Sequence, residues 1–177
     1  MSIMVSVLIR TYQRPFVLKR AIDSVLSQTY SNFEIIVVED GNTPSAEALI
    51  KEYQNTSPII YECLYEHKGR SFAANRAMEL ASGKVKRRFC PYQGKASRLL
   101  LCYNNYLPIQ SVMFRKELIE RHGKINEEMN ELEDWDFWLR LDSDTHLVCV
   151  PKVTSRYYTP YKSAEKKKRN LVLKNAG

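Results

Sequence analysis

Two groups of residues in this chain could do chemistry. The first lies at the ends of two short apolar runs. Val5-Ser6-Val7-Leu8-Ile9 leads into Arg10, Thr11, Tyr12 and Arg14, and Phe33-Glu34-Ile35-Ile36-Val37-Val38 leads into Glu39 and Asp40. A pyrimidine base offers a ring N–H, carbonyl acceptors and a π-face. A carboxylate such as Asp40 can accept from the N–H, Tyr12 can stack, backbone groups of Arg10 and Thr11 can bond the base edge, and the basic side chains can neutralise phosphate. A plainer use is also open, in which Asp40 caps a turn or the next helix and Tyr12 packs. The second group is Glu131-Leu132-Glu133-Asp134-Trp135-Asp136-Phe137-Trp138-Leu139-Arg140, with four acids in six residues. At a helix start such acids suit the macrodipole. Alternatively one of them, flanked by bulky aromatics, is a general base, since partial burial makes a carboxylate a better proton acceptor.

The elements that must position these groups follow from periodicity. Val5 to Ile9 and Phe33 to Val38 are strand-sized apolar runs. Pro15 to Gln28 reads as a helix, with Pro in the first turn and Leu18, Ile22, Val25 and Leu26 on one face. That makes a βαβ unit, whose strand ends lie side by side where open α/β sheets bind ligands. Gly41-Asn42-Thr43-Pro44 is a turn, and a short helix with Leu49, Ile50 and Tyr53 inward follows. Pro58 to Tyr65 is the next strand, His67-Lys68-Gly69-Arg70 a polar loop, and Ser71 to Ala81 a helix stopped by Ser82-Gly83. The order β-α-β-α-β-α predicts an α/β fold with a parallel sheet and right-handed crossovers.

The pattern then breaks. Gly83-Lys84-Val85 begins a fourth strand, but Lys86-Arg87-Arg88 follows at once, and no Asp or Glu occurs between Glu79 and Glu117. Helices are predicted over Arg115 to His122 and Glu131 to Leu141, and a strand over His146 to Val150. The chain has 177 residues, 44% of them hydrophobic, which suits one domain with a core. Its net charge of +7 suits anionic ligands. No apolar run is long enough to span a bilayer, and no signal-peptide pattern opens the chain, so a cytoplasmic protein is expected. Cys63, Cys90, Cys102 and Cys149 form no CxxC pair, so reduced, mostly buried thiols are expected and no zinc site. The histidines His67, His122 and His146 are scattered and read as structural or surface residues, with His67 the one near the presumed ligand loop, and Trp135 and Trp138 read most simply as core.

In sequence order, five pieces resemble the family 2 glycosyltransferases of the GT-A fold. They are Val5 to Pro15, Ala21 to Tyr30, Phe33 to Gly41, Gly69 to Ala77 and Glu133 to Arg140, together spanning roughly residues 4–150. The resemblance implies a GT-A domain over 1–160, with a Rossmann-like, mostly parallel central sheet flanked by helices, and a basic tail over 161–177. It implies transfer of a sugar from a UDP- or dTDP-type donor to a glycan or lipid-linked acceptor hydroxyl, with inversion. By position Thr11, Tyr12 and Asp40 would hold the base, with Arg10, Arg14 and Glu39 nearby. Arg70 would reach the base or the diphosphate. Asp134 would be the catalytic base, with Glu133 beside it, and Asn105 to Phe114 would line the donor-sugar and acceptor side. For Trp135 and Trp138 an indole edge near the acceptor is the alternative to core.

One departure stands out. The family carries an Asp-rich motif after its fourth strand that binds Mg²⁺ or Mn²⁺, and this sequence has no acid there. A discontinuity is therefore expected near 85–86. Either the segment is lacking, giving a metal-independent or inactive nucleotide-binding homologue in which Lys86, Arg87 and Arg88 meet the diphosphate, or further residues belong between Val85 and Lys86. The second is preferred, because a central strand cannot be lost without exposing strand edges and apolar helix faces. A nucleic-acid-binding module is the rival from another class. It rests on the basic balance and on Lys166 to Arg169, but no nucleic-acid motif supports it. The same lysines suit peripheral contact with an anionic membrane face, or simply a solvated helix end.

Overall fold

The computed structural model describes residues 3–41, 46–82 and 98–150. The fourth-strand expectation at 83–85, the expected break at 85–86, Cys90 and the 161–177 tail lie outside those residues.

Three parallel strands form the sheet: β1 (Val5–Thr11), β2 (Phe33–Glu39) and β3 (Ile59–Cys63), in spatial order β1-β2-β3. The register sets Thr11 against Glu39 and Glu39 against Cys63, so the carboxyl ends of the strands are level. β2 is the central strand, and Ile35, Ile36, Val37 and Val38 are all fully buried. Its alternation splits the core between two faces. Ile35 and Val37 pack with Leu18 and Ile22 of α1 (Pro15–Leu26) and Ile50 of α2 (Glu47–Gln54). Ile36 and Val38 pack with Ala73, Ala77 and Ala81, where α3 (Arg70–Leu80) lies on the other face. An alanine every fourth residue keeps that face of the helix flat, so it sits close to the sheet.

The opposite side of α3 carries Ala74 and Met78 into a second core. That core gathers Leu101 from α4 (Arg98–Tyr103), Leu107, Leu118 from α5 (Glu117–His122), Ile125, and Phe137, Trp138 and Leu141 from α6 (Glu133–Leu141). α3 is thus shared between a sheet half and a helical half. Being covered on both sides, it buries even Ser71 and Asn75. Asn75 fastens the halves: its amide donates to the Ile125 carbonyl at 2.8 Å and accepts from the Ile125 N–H at 2.9 Å, as a backbone partner would.

The predicted strands and helices of the sheet half are found, with ends moved by one to three residues. Three expectations change in the helical half. His146 to Val150 is not a strand; the only ladder contact there is a single bridge residue, Cys149. α4 and a 3₁₀ turn at Ile109–Ser111 had no sequence expectation. Cys102 is exposed, and Cys63 and Cys149 are half-buried, so these thiols are less buried than expected. No described helix is long and apolar enough to cross a membrane.

Candidate functional site

The site is built where β1 and β2 end. Asp40 follows β2 and is 4% exposed, and its N–H bonds the Thr11 carbonyl at 2.9 Å, which ties the two strand ends together. A buried carboxylate needs donors. Asp40 takes them from the loop before α3: the Lys68 N–H reaches one carboxylate oxygen at 2.7 Å and the Gly69 N–H the other at 3.0 Å. Gly69 sits at φ +92°, in the left-handed region where glycine is at ease. The plainer use of Asp40, capping a turn, is therefore real, and it presents the carboxylate at the strand end. His67 Nδ1 lies 3.0 Å from Asp40 as well, and its ring stacks on Tyr12 with centroids 4.4 Å apart and planes 28° apart. Tyr12 lies so close over Gly41 that a Cβ there would meet its ring at 3.2 Å.

Arg70, the residue after Gly69, carries the contact chain into the helical half. Its guanidinium donates to Glu133 at 2.6 Å and to the Asn130 carbonyl at 2.5 Å. Arg10, at the end of β1, donates to the Arg70 carbonyl at 2.8 Å and lies 3.9 Å from Glu133. Burial pulls the Arg10 pKa below its usual value, while the nearby Glu133 charge pulls it up. Glu133, 3% exposed, is thus a buried carboxylate bracketed by two guanidinium groups.

Asp134, next to it, has a different surrounding. Its Oδ1 accepts from the Asn105 amide at 3.1 Å and from the Trp135 N–H at 2.9 Å. Two indoles hold the segment bearing Asn105: Trp135 Nε1 donates to Leu101 and Trp138 Nε1 to Leu107. The Asn105 side-chain oxygen, Oδ1, is buried with no hydrogen-bond partner among the described residues. Leu132, which caps α6 just before the two acids, has φ +59°, a strained state for a branched side chain. Gln13, after Tyr12, and Tyr65, two residues before His67, share this positive φ. All three strained residues flank the segments described here.

This is a parallel α/β sheet with a buried acid and an aromatic ring at its carboxyl edge, joined through two arginines to a pair of acids opening a helix. Residues 6–87 match the family model for glycosyl transferase family 2. Over that stretch the chain is similar to family 2 glycosyltransferases. It is 35% identical over 82 residues to an uncharacterized glycosyltransferase of Nostoc, covering 46% of this chain and 26% of that one. It is 30% identical over 83 residues to the glucosyl-dolichyl phosphate glucuronosyltransferase of Haloferax volcanii, again 46% of this chain and 26% of the relative. The matched part is therefore well under half of the relatives' own length. Among solved structures, the mannosyltransferase PcManGT of Pyrobaculum calidifontis, in complex with GDP-Man and Mn²⁺, superposes with TM-score 0.76 at 15% identity, over 93% of this chain and 60% of that one. S. aureus TarS 1–349 in complex with UDP superposes with TM-score 0.59 at 16% identity, over 77% and 54% of the two chains. The fold is the expected α/β GT-A arrangement with a parallel sheet.

The residues singled out from sequence divide three ways. Arg10, Tyr12, Asp40, Arg70 and Glu133 belong to one run of contacts, which Asp134 adjoins as the chain neighbour of Glu133. Thr11 takes part through its carbonyl, and Arg14 is exposed at the start of α1, where its carbonyl accepts from Leu18. Glu39 is used elsewhere. It is buried, and accepts from the Tyr61 hydroxyl at 2.5 Å and the Ala46 N–H at 3.1 Å, which commits it to the start of α2. Burial, then the bond to Glu39, pushes the Tyr61 hydroxyl pKa well up. His67, expected as a structural or surface residue near the presumed ligand loop, does lie at the site, and what the sequence does not signal is its ring contact with Tyr12. The other two acids of the second group do not converge on the site: Asp136 pairs with Arg140 at 2.9 Å and Glu131 is exposed.

A divalent cation does not fit the described residues. Among the described residues no three His, Cys, Asp or Glu side chains converge, and residues 80–116 contain no Asp or Glu. The two buried acids at the site, Asp40 and Glu133, are already matched by N–H and guanidinium donors.

Proposed function

We propose that this chain is a glycosyltransferase of glycan biosynthesis, moving a sugar from a nucleoside diphosphate donor of the UDP or dTDP type to an acceptor hydroxyl with inversion. The observation that carries this reading is the run of contacts from Asp40 through Gly69 and Arg70 to Glu133, which puts a candidate base site and a helix-borne acid pair in one assembly. Asp40 accepts the imide N–H of the base, and Tyr12 offers its ring face. Arg10 and Arg70 supply positive charge toward the diphosphate. Asp134 takes the proton of the acceptor hydroxyl as its oxygen bonds the anomeric carbon. The carbon–oxygen bond to the β-phosphate breaks on the opposite face, and the nucleoside diphosphate leaves with the bonding pair. No step is routed through a metal, since the residues present do not fit one.

That misfit also favours a second reading, a nucleotide-binding homologue without turnover. Titration with UDP in MnCl₂ and in EDTA, beside a transfer assay over a panel of nucleotide sugars, separates the two. Asp134→Asn is expected to lower transfer by about a hundredfold or more while leaving UDP affinity within about twofold. Asp40→Ala is expected to weaken UDP binding by about tenfold, the loss of a charged hydrogen-bond partner. Full turnover by Asp134→Asn would remove the general-base assignment. Metal-independent binding with no turnover on any donor would favour the second reading. The acceptor is proposed as a glycan or lipid-linked hydroxyl on the cytoplasmic side of a membrane. Loss of vesicle co-sedimentation on neutralising Lys166 to Lys168 tests the membrane contact.

A further inference from the structure

We propose that His67 is a resident plug of the nucleobase site, so that a nucleotide binds only by displacing it. This rests on the base-site reading of Asp40 and Tyr12 above. The imidazole is a planar ring with an N–H on its edge, as an imide base is. It makes the two contacts assigned to a base: its face stacks on Tyr12 at 4.4 Å, and its Nδ1 edge meets Asp40 at 3.0 Å. Both recognition groups are thus satisfied from within the chain.

The plug is built to leave. The His67 side chain is 55% exposed, whereas Asp40 beneath it is 5% exposed. When the imidazole swings out, Asp40 keeps its Lys68 and Gly69 N–H donors, so the carboxylate stays in place with one lone pair vacated. The segment carrying His67 has left-handed backbone at both ends, at Tyr65 (φ +56°) and Gly69 (φ +92°). Neither the strand ends nor the α3 core cluster need move for the ring to turn. Binding is then an exchange of like contacts, and apparent affinity falls by the fraction of molecules in which the site is open.

Titration calorimetry with UDP tests this on the full chain. His67→Ala is expected to bind UDP at least about fivefold tighter, the factor for a plug closed in about four molecules of five. His67→Phe keeps the stack but loses the edge contact, and is expected to fall between wild type and His67→Ala. Unchanged or weaker binding by His67→Ala would overturn the proposal, because the imidazole would then be a bystander or a contact of the nucleotide. Tyr12→Ala and Asp40→Ala separate the two levels. If they weaken UDP binding while His67→Ala does not strengthen it, only the plug fails. If neither changes UDP binding, or if wild type and His67→Ala both fail to bind UDP, the base-site reading fails and takes the plug with it. Thermal melts of each variant confirm that the fold is kept.

Discussion

Asp40 and Glu133 are both buried carboxylates, 4% and 3% exposed, and they are neutralised in opposite ways. Asp40 in the sheet half is held by two backbone N–H groups of a loop that precedes the next helix of the same half. Glu133 in the helical half is held by side chains of the other half, Arg10 and Arg70, which reach it from β1 and α3. The first arrangement is closed within the sheet half, by the loop between β3 and α3. The second exists only once the two halves have docked. The candidate base site is thereby built within the sheet half, while Glu133 at the head of α6 depends on long charged side chains crossing between two cores.

The sharpest way to break this contrast is Glu133→Gln. Removing the charge leaves two guanidinium groups facing a neutral amide. The expected cost is about 2 kcal/mol, below the usual range for a broken buried pair because Arg70 is half exposed. Asp40→Asn is expected to cost only about 1 kcal/mol, since its donors are backbone groups that can turn to water. Urea denaturation of the two variants measures both. Equal losses, or a larger loss at Asp40, would mean that the halves do not lean on the arginine bracket.

The same contrast explains what the sequence could reveal. In the sheet half, periodicity marked β1, α1, β2, α2, β3 and α3, because each is amphipathic or apolar against its immediate neighbours. The run Ile35-Ile36-Val37-Val38 announced a strand buried on both faces, and it is one. The helical half has no sheet to impose a period. The residues 98–114 are fixed instead by indole N–H bonds to the Leu101 and Leu107 carbonyls and by packing on Phe137 and Trp138, none of which leaves a repeat. Asp40, Tyr12, Arg70, Glu133 and Asp134 were legible as candidates from residue type and family pattern. Which acid faces the arginines, and that Glu39 turns to Tyr61 and Ala46, depends on side-chain direction. The nearness of His67 to the ligand loop was legible, but its stack on Tyr12 was not, because a ring contact between residues 12 and 67 has no local signature.

A smaller effect is expected from the neutral strut between the halves. Asn75 is 3% exposed and satisfies both the N–H and the carbonyl of Ile125, with a further bond to Glu127 at 2.7 Å. Asn75→Ala strands those two backbone groups and is expected to cost about 1.5 kcal/mol. Hydrogen exchange offers the finer readout. Faster exchange should appear in residues 118–141 while β2 keeps its protection, because the sheet core does not depend on this contact. Uniform loss across both halves would show that they unfold as one unit, and the division drawn above would then describe geometry without energetic independence.

The smallest expected effect is electrostatic. Glu79, near the end of α3, accepts from Lys124 of the helical half and from Arg76 on its own helix, and these bonds lower its pKa from the usual 4.5. A carboxylate whose folded pKa is depressed contributes stability that is present above its unfolded value and lost as pH falls through the folded one. Its side chain is 39% exposed, so solvent screening holds the contribution to about 0.5 kcal/mol or less. Glu79→Gln should therefore be slightly less stable than wild type at pH 7 and indistinguishable from it once the pH is well below 4.5. Denaturation midpoints at the two pH values decide it. A difference that persists in acid would assign Glu79 a packing role. A difference that vanishes with added salt at pH 7 would confirm that this strut, unlike the Arg10–Glu133–Arg70 bracket, joins the halves through water.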